Sequence, residues 1–214
     1  MLRLLAIALA LHPCGGPSEA QQLVTVVAPA FRSTHATLTL WRRSGSCWTR
    51  AYGPWAARVG RNGLSDSHHE GDGTTPTGTY AFGRVVYGLD PDPGVRYVYH
   101  RLVCGDWWDE DPASPTYNTF RHVACGARPP FGGGSEALWR ATVAYRRFAV
   151  VDYNTPAAAG RGSGIFVHVD TGRGTNGCVS LPAAQLATLL RWLRPSASPR
   201  IAIGTAAGLA AFVR

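Results

Sequence analysis

Two residues of the chain, His168 and Cys178, have the types and the spacing that nucleophilic chemistry requires. An imidazole can take the proton of a thiol, and the thiolate that results is the attacking group. His168 is near the end of the apolar run 165–169, which is typical of a buried strand, and Cys178 follows a glycine-rich loop that lets the chain double back. Gly177 frees the backbone to turn N–H groups toward a developing oxyanion. The pattern predicts a cysteine nucleophile with a histidine base.

A structural role is the alternative for both side chains. A single histidine or cysteine inside a protein is more often a packed core residue than a reacting one. The order strand, histidine, glycine-rich loop, glycine and cysteine favours chemistry here. A helix signal follows Cys178, with Ser180 as its N-cap and Pro182 in its first turn. A thiol just before a helix N-terminus is more easily held as a thiolate.

The stretch around Cys178 resembles a known catalytic motif. Thr175-Asn176-Gly177-Cys178 resembles the Ser/Thr-His-Gly-Cys stretch of the L,D-transpeptidases of the bacterial cell wall, the YkuD-type domain, in which a histidine and a loop come before it. Asn176 stands where that stretch has its histidine. Ser180 stands where an arginine usually follows the cysteine by two positions.

A second, shorter match agrees with the order of the family. Thr75-Pro76-Thr77-Gly78 resembles its Thr-Pro-x-Gly turn, which feeds a strand well before the histidine and cysteine. The resemblance covers residues 23–203 and implies the L,D-transpeptidase catalytic fold. It further implies that peptidoglycan stem peptides are the substrate and that no cofactor is needed.

The resemblance also implies a reaction. Cys178 would attack the carbonyl of the third residue of a stem tetrapeptide and expel the terminal D-Ala, while His168 takes the thiol proton and returns one to the leaving amine. An amine of a neighbouring stem would then take the acyl group, and a carbapenem should acylate the sulfur. Water as the acceptor would make the same site an L,D-carboxypeptidase. A catalytically weak cell-wall-binding module is a further alternative, because two motif residues are replaced.

Roles for neighbouring residues follow from the same resemblance. The N–H groups of Gly177 and Cys178 would receive the oxyanion, beside Asn176, and the carbonyl of Val169 or the side chain of Asp170 would orient His168. Separately from the resemblance, the strand that ends at Tyr153 and Asn154 should pair with the histidine strand and bring these two residues to the cleft. Candidates for substrate contacts are therefore Tyr153 and Asn154, together with Phe166 and Arg173.

The adjacent pair His68-His69, in a loop with two acids, could indicate a metal site. Neighbouring side chains on an extended chain point to opposite faces, so we expect a polar loop and no metal.

The N-terminus predicts export. Arg3 is followed by a short apolar run, residues 4–11, and by the small-x-small site Ser18-Glu19-Ala20, so we expect a signal peptide over 1–20 and a single secreted, cell-wall-associated domain over 21–214. The apolar run is too short to span a bilayer. A lipoprotein modified at Cys14 and an N-terminus docked in the core are the alternatives.

Secretion makes disulfides possible. Cys104 and Cys125 flank one loop and form the natural pair, which would stabilise the fold by about 3 kcal/mol in the chain-entropy model. Cys178 would then stay free, and Cys47 would be a small buried apolar residue. The competing pair Cys47–Cys178 would make the protein a disulfide-stapled structural protein instead of an enzyme.

The composition fits a globular protein, with 45% hydrophobic and 16% charged residues over 214 positions. The net charge is +8, and every residue in the Lys+Arg count of 21 is arginine. A basic surface can meet nucleic acid or anionic wall polymers. The sequence carries no recognised nucleic-acid motif and no stretch long enough for a membrane helix, so we expect no nucleic-acid partner and no membrane span. We also expect a monomer.

Short β-branched or alternating segments between glycine and proline turns predict a mainly β domain, a sandwich or barrel with one or two short helices. The predicted strands are 23–28, 36–41, 47–52, 55–59, 80–87, 96–103, 148–152, 165–169 and 199–203. Helices are predicted over 136–145 and after Ser180.

Overall fold

The computed structural model describes residues 19–132 and 134–212. Most of the predicted signal peptide, residues 1–18, therefore lies outside the described residues. Ala20 is fully buried in a small cluster with Leu23 and Trp48.

The described chain is mainly β, with 41% strand and 12% helix, as the sequence predicts. The strands in chain order are β1 (Gln22–Ala28), β2 (His35–Ser44), β3 (Cys47–Arg58), β4 (Leu64–Ser65), β5 (Thr75–Pro76), β6 (Gly78–Gly88), β7 (Val98–Arg101), β8 (Asp106–Asp109), β9 (Thr119–His122), β10 (Glu136–Ala137), β11 (Phe148–Val151), β12 (Phe166–Val169), β13 (Val179–Leu181) and β14 (Arg200–Thr205). The two α-helices are α1 (Ala183–Trp192) and α2 (Ala206–Phe212). No helix in these residues is long and apolar enough to cross a membrane.

The large sheet closes on itself. Its order is β11-β12-β13-β3-β2-β1-β14-β6-β7, and β11 also pairs with β6, which gives a barrel-like arrangement. Closure leaves few open strand edges, a common solution for a mainly β domain. The pairing of β12 with β13 is parallel, so the chain returns along the same direction after the loop between them.

One long strand, β3, replaces the two predicted strands 47–52 and 55–59. The sequence predicts a break at Gly53-Pro54, but β3 runs through both residues and pairs with β2 as far as Arg58. The register shifts beside this point, and Gly53 has a φ of 84°. Strand β13 pairs with β3 only at Arg58, so Pro54 needs no ladder partner on that side.

A small second sheet, β10-β8-β9, lies in the segment between β7 and β11. The helix predicted over 136–145 is wrong: Glu136–Ala137 pairs with β8, and two separate 3-10 turns follow, at Leu138–Arg140 and Ala144–Arg146. Leu138 and Tyr145 are buried by this path. Tertiary packing of these two side chains therefore outweighs the local helix propensity.

The core has two main clusters, and β12 contributes to both. Val167 and Val169 lie in the larger one, the main core, with Val179 and Leu181 of β13. Phe166 faces the other way into an aromatic cluster, which also contains residues from the segment under the small sheet. The members of this aromatic cluster are Tyr87, Leu102, Trp108, Leu138, Tyr145, Phe148, Val150, Phe166 and Cys178.

The helix after the cysteine starts later than predicted. Ser180 lies in β13, not at an N-cap, and Pro182 takes the cap position of α1. Leu186, Leu189 and Leu190 bury one face of α1 in the main core. Strand β13 lies between Cys178 and the start of α1. The prediction that Cys178 stands directly before a helix N-terminus, whose dipole would stabilise the thiolate, is therefore wrong.

Candidate functional site

The sulfur of Cys178 lies between two backbone groups of the neighbouring chain. Its S–H donates to the carbonyl of Gly164 at 3.2 Å, and the N–H of Phe166 donates to the sulfur at 3.3 Å. Only 8% of the residue is exposed. The N–H of Phe166 is a fixed donor toward the sulfur, so it favours the thiolate.

His168 is held in one tautomer. Its Nδ1–H donates to the carbonyl of Val169 at 2.8 Å, because a carbonyl oxygen can only accept. The other ring nitrogen, Nε2, then carries the lone pair that a general base needs. Of the two orienting groups that the sequence suggests, the Val169 carbonyl makes this bond.

His168 and Cys178 lie on the same side of two neighbouring strands. In the parallel ladder Val167 is opposite Val179, and His168 is opposite Ser180. Since side chains alternate along a strand, the even-numbered residues here point away from the main core. The ring of Tyr145 contacts both His168 and Phe166, with centroids 5.9 and 5.7 Å apart. Among the described residues no hydrogen bond joins the thiol to the imidazole.

Both groups are neutral in this environment. Burial raises the pKa of the Cys178 thiol, and the charge of Glu136 raises it further. Burial lowers the pKa of His168, although its bond to Val169 acts in the opposite direction. In this arrangement the proton therefore rests on the sulfur, which opposes formation of a thiolate.

Two half-buried acids, Glu136 and Glu110, lie close enough to Cys178 for their charges to act on the thiol. Burial and the charge of the other carboxyl raise the pKa of Glu110, and burial raises that of Glu136, which accepts a hydrogen bond from the Tyr145 hydroxyl. Glu110 lies against Gly164, where a Cβ would overlap its Oε1. Glu136 lies in β10 and Glu110 directly follows β8, both distant from Cys178 in the sequence, and no local pattern marks them as site residues.

The turn before Cys178 is fixed by two threonines. The hydroxyls of Thr175 and Thr75 donate to the carbonyl of Cys178 at 2.6 and 3.3 Å. The N–H of Gly177 donates to the Thr175 hydroxyl at 3.2 Å, so this predicted oxyanion donor is engaged within the turn. Gly177 has a φ of 151°, which favours glycine. The Thr-Pro-x-Gly stretch therefore packs directly against the cysteine turn.

Asp170 holds a polar network beside the histidine strand. Its Oδ2 accepts from Nε of Arg58 at 3.3 Å, and its Oδ1 is 3.3 Å from the Ser180 hydroxyl, which donates to it. Its Oδ1 also accepts the N–H of Gly172 at 3.0 Å. Asp170 thus fixes the start of the loop after β12 through its bond to Gly172. None of these contacts of Asp170 is a hydrogen bond to His168.

A second histidine, His68, packs against the turn that precedes Cys178. His68 has a side chain that is 3% exposed, and its Nδ1 is 2.9 Å from Oδ1 of Asp72 and 3.1 Å from the Thr74 hydroxyl. The Cε1 atom of the ring is 3.6 Å from the position of a Cβ at Gly177. Burial lowers the pKa of His68. The sequence singles out His68 but not this contact, because the pairing joins segments far apart in the chain.

The four predicted substrate contacts have different surroundings. Phe166 is fully buried in the aromatic cluster, so the structure gives it a packing role, not a surface for a ligand. Tyr153 donates to the carbonyls of His68 and Arg161, and Asn154 donates to those of Ala158 and Gly162.

Tyr153 and Asn154 therefore hold the loop before β12. Arg173 is exposed in the loop after β12. Asn176 is also exposed and accepts a hydrogen bond from Arg61.

The cysteines divide as the nucleophile hypothesis requires. Cys104 and Cys125 are joined, with their Cα atoms 5.2 Å apart, and Cys178 is free and buried. The competing pair Cys47–Cys178 is thereby excluded. Cys47 is half-buried, so the expectation of a small buried apolar residue at that position is wrong.

The fold and the site together define a barrel-like β domain that carries a free thiol and an anchored imidazole on one face of two parallel strands. The chain belongs to the YkuD family, the L,D-transpeptidase catalytic domain, whose family model matches residues 25–203. The family acts on peptidoglycan peptides. Neither the comparison with curated proteins nor that with solved structures finds a match.

Proposed function

We propose that this protein is a secreted peptidoglycan L,D-transpeptidase that works through a Cys178 acyl-enzyme. The observation that carries the proposal is the tautomer of His168. With Nδ1–H bound to the Val169 carbonyl at 2.8 Å, the free nitrogen is Nε2, on the sheet face that Cys178 shares. Membership in the family adds the substrate class, the stem peptides of the wall.

The first half-reaction forms a thioester. The thiol proton passes to Nε2 of His168, and the sulfur attacks the carbonyl carbon of the third residue of a stem tetrapeptide. The C–N bond to the terminal D-Ala breaks, and the imidazolium returns its proton to the leaving amine. The N–H of Phe166 stabilises the charge on sulfur, and the N–H of Cys178 is the donor we assign to the oxyanion.

The second half-reaction forms the cross-link. A side-chain amine of a neighbouring stem attacks the thioester carbonyl and loses a proton to His168. The thioester C–S bond breaks, and that proton returns to the sulfur. Water in place of the amine would release a tripeptide instead, which is the L,D-carboxypeptidase outcome of the same acyl-enzyme.

The buried state of the thiol favours one rival function. Burial and Glu136 both raise the pKa of Cys178, which opposes the thiolate. A protein that keeps the pocket and has lost the chemistry would bind wall peptides without reacting. The transpeptidase proposal requires that a bound donor peptide bring the thiol and His168 together, and this separates the two functions experimentally.

The test is turnover of a purified disaccharide tetrapeptide. We expect release of D-Ala together with a cross-linked dimer, and no release from Cys178→Ala. Tripeptide without dimer would assign the carboxypeptidase reaction. Binding of the tetrapeptide with no release of D-Ala by the wild type would contradict the proposal and favour the binding module.

A further inference from the structure

A basic pocket lies apart from the cysteine site. It has a volume of about 510 Å³, and its charged lining consists of Arg84, Arg96 and Arg200. Its remaining walls are largely apolar and are formed by Ala81, Phe82, Tyr97, Val98, Pro195 and Pro199, with Ser198 between the two prolines.

Among the residues that the structure describes, the three arginines of the pocket make no ion pair with a carboxylate at contact distance. Within residues 19–132 and 134–212, the arginine ion pairs are made by Arg58, Arg146 and Arg147, and none involves an arginine of the pocket. An arginine that lines a concave surface without an acid partner has donors to offer an incoming anion.

The carboxyl group of Asp152 lies close enough to Arg200 and Arg84 to interact with them electrostatically. Asp152 follows β11, and burial raises its pKa, while the charges of Arg200 and Arg84 oppose that rise. Three guanidinium groups against a single carboxyl leave the pocket positive. The excess is consistent with the net charge of +8 on the whole chain.

The pocket is a separate site from the candidate nucleophile. Phe82 belongs to the main core and Tyr97 packs against it, whereas Cys178 lies in the aromatic cluster. Strands β11 and β12 separate β6 from β13, a distance of about 14 Å along the sheet at the usual strand spacing. A ligand in the pocket would therefore hold the protein without touching the thiol.

We propose that this pocket binds the terminal carboxylate of a peptidoglycan stem peptide and docks the protein on the wall, an inference that rests on the proposed substrate class. Guanidinium groups hold a carboxylate through paired N–H bonds, and the apolar walls suit the methyl groups and backbone of an alanine-ended peptide. A phosphodiester chain is charged along its whole length, so it is less complementary to a pocket whose walls are largely aromatic and proline side chains.

The experiment uses the Cys178→Ala protein, so that binding is measured without turnover. Titration with a disaccharide tetrapeptide, followed by amide NMR, should shift the signals of Val98 and Ser198 in the pocket. The double substitution Arg84→Gln/Arg96→Gln should weaken this response roughly 10- to 100-fold. The same fragment with its carboxylates amidated should give no response at these two residues.

A matched double substitution controls for net charge. Arg50→Gln/Arg121→Gln removes two exposed arginines outside the pocket and should leave the Val98 and Ser198 shifts unchanged. An equal loss in this control would show that overall charge, not the pocket, binds the peptide, and unchanged shifts in Arg84→Gln/Arg96→Gln would overturn the proposal. Tighter, arginine-dependent binding of poly(glycerol phosphate) would also overturn it.

Failure here is distinguishable from failure of the proposed function. In the protein with Cys178 intact, Arg84→Gln/Arg96→Gln should release D-Ala from the soluble tetrapeptide at the wild-type rate. If the wild-type protein binds the peptide through these arginines but releases no D-Ala, the pocket proposal stands and the proposed transpeptidase activity is refuted.

Discussion

Arg58 lies directly opposite Ser180, and the two side chains share one carboxylate. They are paired across β3 and β13, and both contact Asp170, at 3.3 Å each. In the family motif an arginine usually occupies the position of Ser180. In this chain the guanidinium that contacts Asp170 comes from Arg58 of β3, the strand that pairs with β13 at Ser180.

This arrangement predicts that the two positions can be exchanged only together. Ser180 is 1% exposed, so Ser180→Arg would bury a second positive charge beside Arg58 and should lower the free energy of unfolding by about 3–5 kcal/mol. The double substitution Arg58→Ser/Ser180→Arg should recover at least half of that loss. Urea unfolding measures both. A single Ser180→Arg protein as stable as wild type would refute the assignment.

Glu136 should hold the thiol in its protonated form. Burial raises the pKa of Cys178 most, and the charge of Glu136 raises it further. Glu136→Gln, which keeps an acceptor for the Tyr145 hydroxyl, should therefore lower that pKa. Alkylation by iodoacetamide, measured against pH, should then reach its half-maximal rate at a lower pH than in wild type.

Glu70→Gln is the matched control for this prediction. Glu70 also accepts a bond from a tyrosine hydroxyl, that of Tyr117, but its charge is not among the causes of the Cys178 shift. Its alkylation profile should match that of wild type. A profile that moves in Glu70→Gln and not in Glu136→Gln would contradict the proposed electrostatic contact.

His68 should contribute stability that is lost in mild acid. Burial lowers its pKa below the ordinary 6.5 in the folded protein, so the unfolded chain takes up the proton first as the pH falls. Folding stability from this group is complete above pH 6.5 and declines below it. His68→Phe should cost about 1–3 kcal/mol at pH 7, because Asp72 loses a buried partner, and should flatten the slope below pH 6.5.

His69→Phe is the control, since the side chain of His69 is 70% exposed. It should change the unfolding free energy by less than about 0.5 kcal/mol and leave the pH slope unaltered. An equal effect of both substitutions, followed by urea unfolding between pH 5 and 7, would show that His68 does not support the cysteine turn in this way.

The N-terminus of the exported protein should be Gln21. Arg3, the apolar run after it and Ser18-Glu19-Ala20 predict cleavage after Ala20. The N–H of Gln21 donates to the carbonyl of Ala197 at 2.8 Å, and the new amine could keep this bond. Intact mass of the wall-associated protein decides the point. A chain that still begins with Met1 would contradict the export prediction.

The sequence predicts the candidate pair His168 and Cys178 and most of the large sheet because those signals are local. The apolar run ending at His168 and the alternation in β2 each report one strand and its neighbours. The break at Gly53-Pro54 could not be judged locally, because the cost of a proline depends on whether the neighbouring strand pairs there. The packing of Phe166 also depends on a distant segment that covers the second face of β12.

The rest of the site comes from long-range contacts. Glu110 and Glu136 approach Cys178 only after the small sheet folds over the aromatic cluster, and Arg58 meets Asp170 only through strand order. These side chains have no periodicity or motif that marks them. Their positions therefore required the tertiary structure.

The central claim is that the Cys178 sulfur, with His168 as its base, forms the acyl-enzyme. Intact mass after incubation with a carbapenem tests it directly, because this strained acyl donor should leave a stable adduct. Wild type should gain one adduct, on the peptide that contains Cys178, and Cys178→Ala should gain none.

The base is tested in the same measurement. His168→Ala should form the adduct roughly 10²–10⁴-fold more slowly, the usual scale for general base catalysis, while His69→Ala should match wild type. An adduct that persists in Cys178→Ala, or the absence of an adduct on wild type that also fails to turn over the tetrapeptide, would contradict the account.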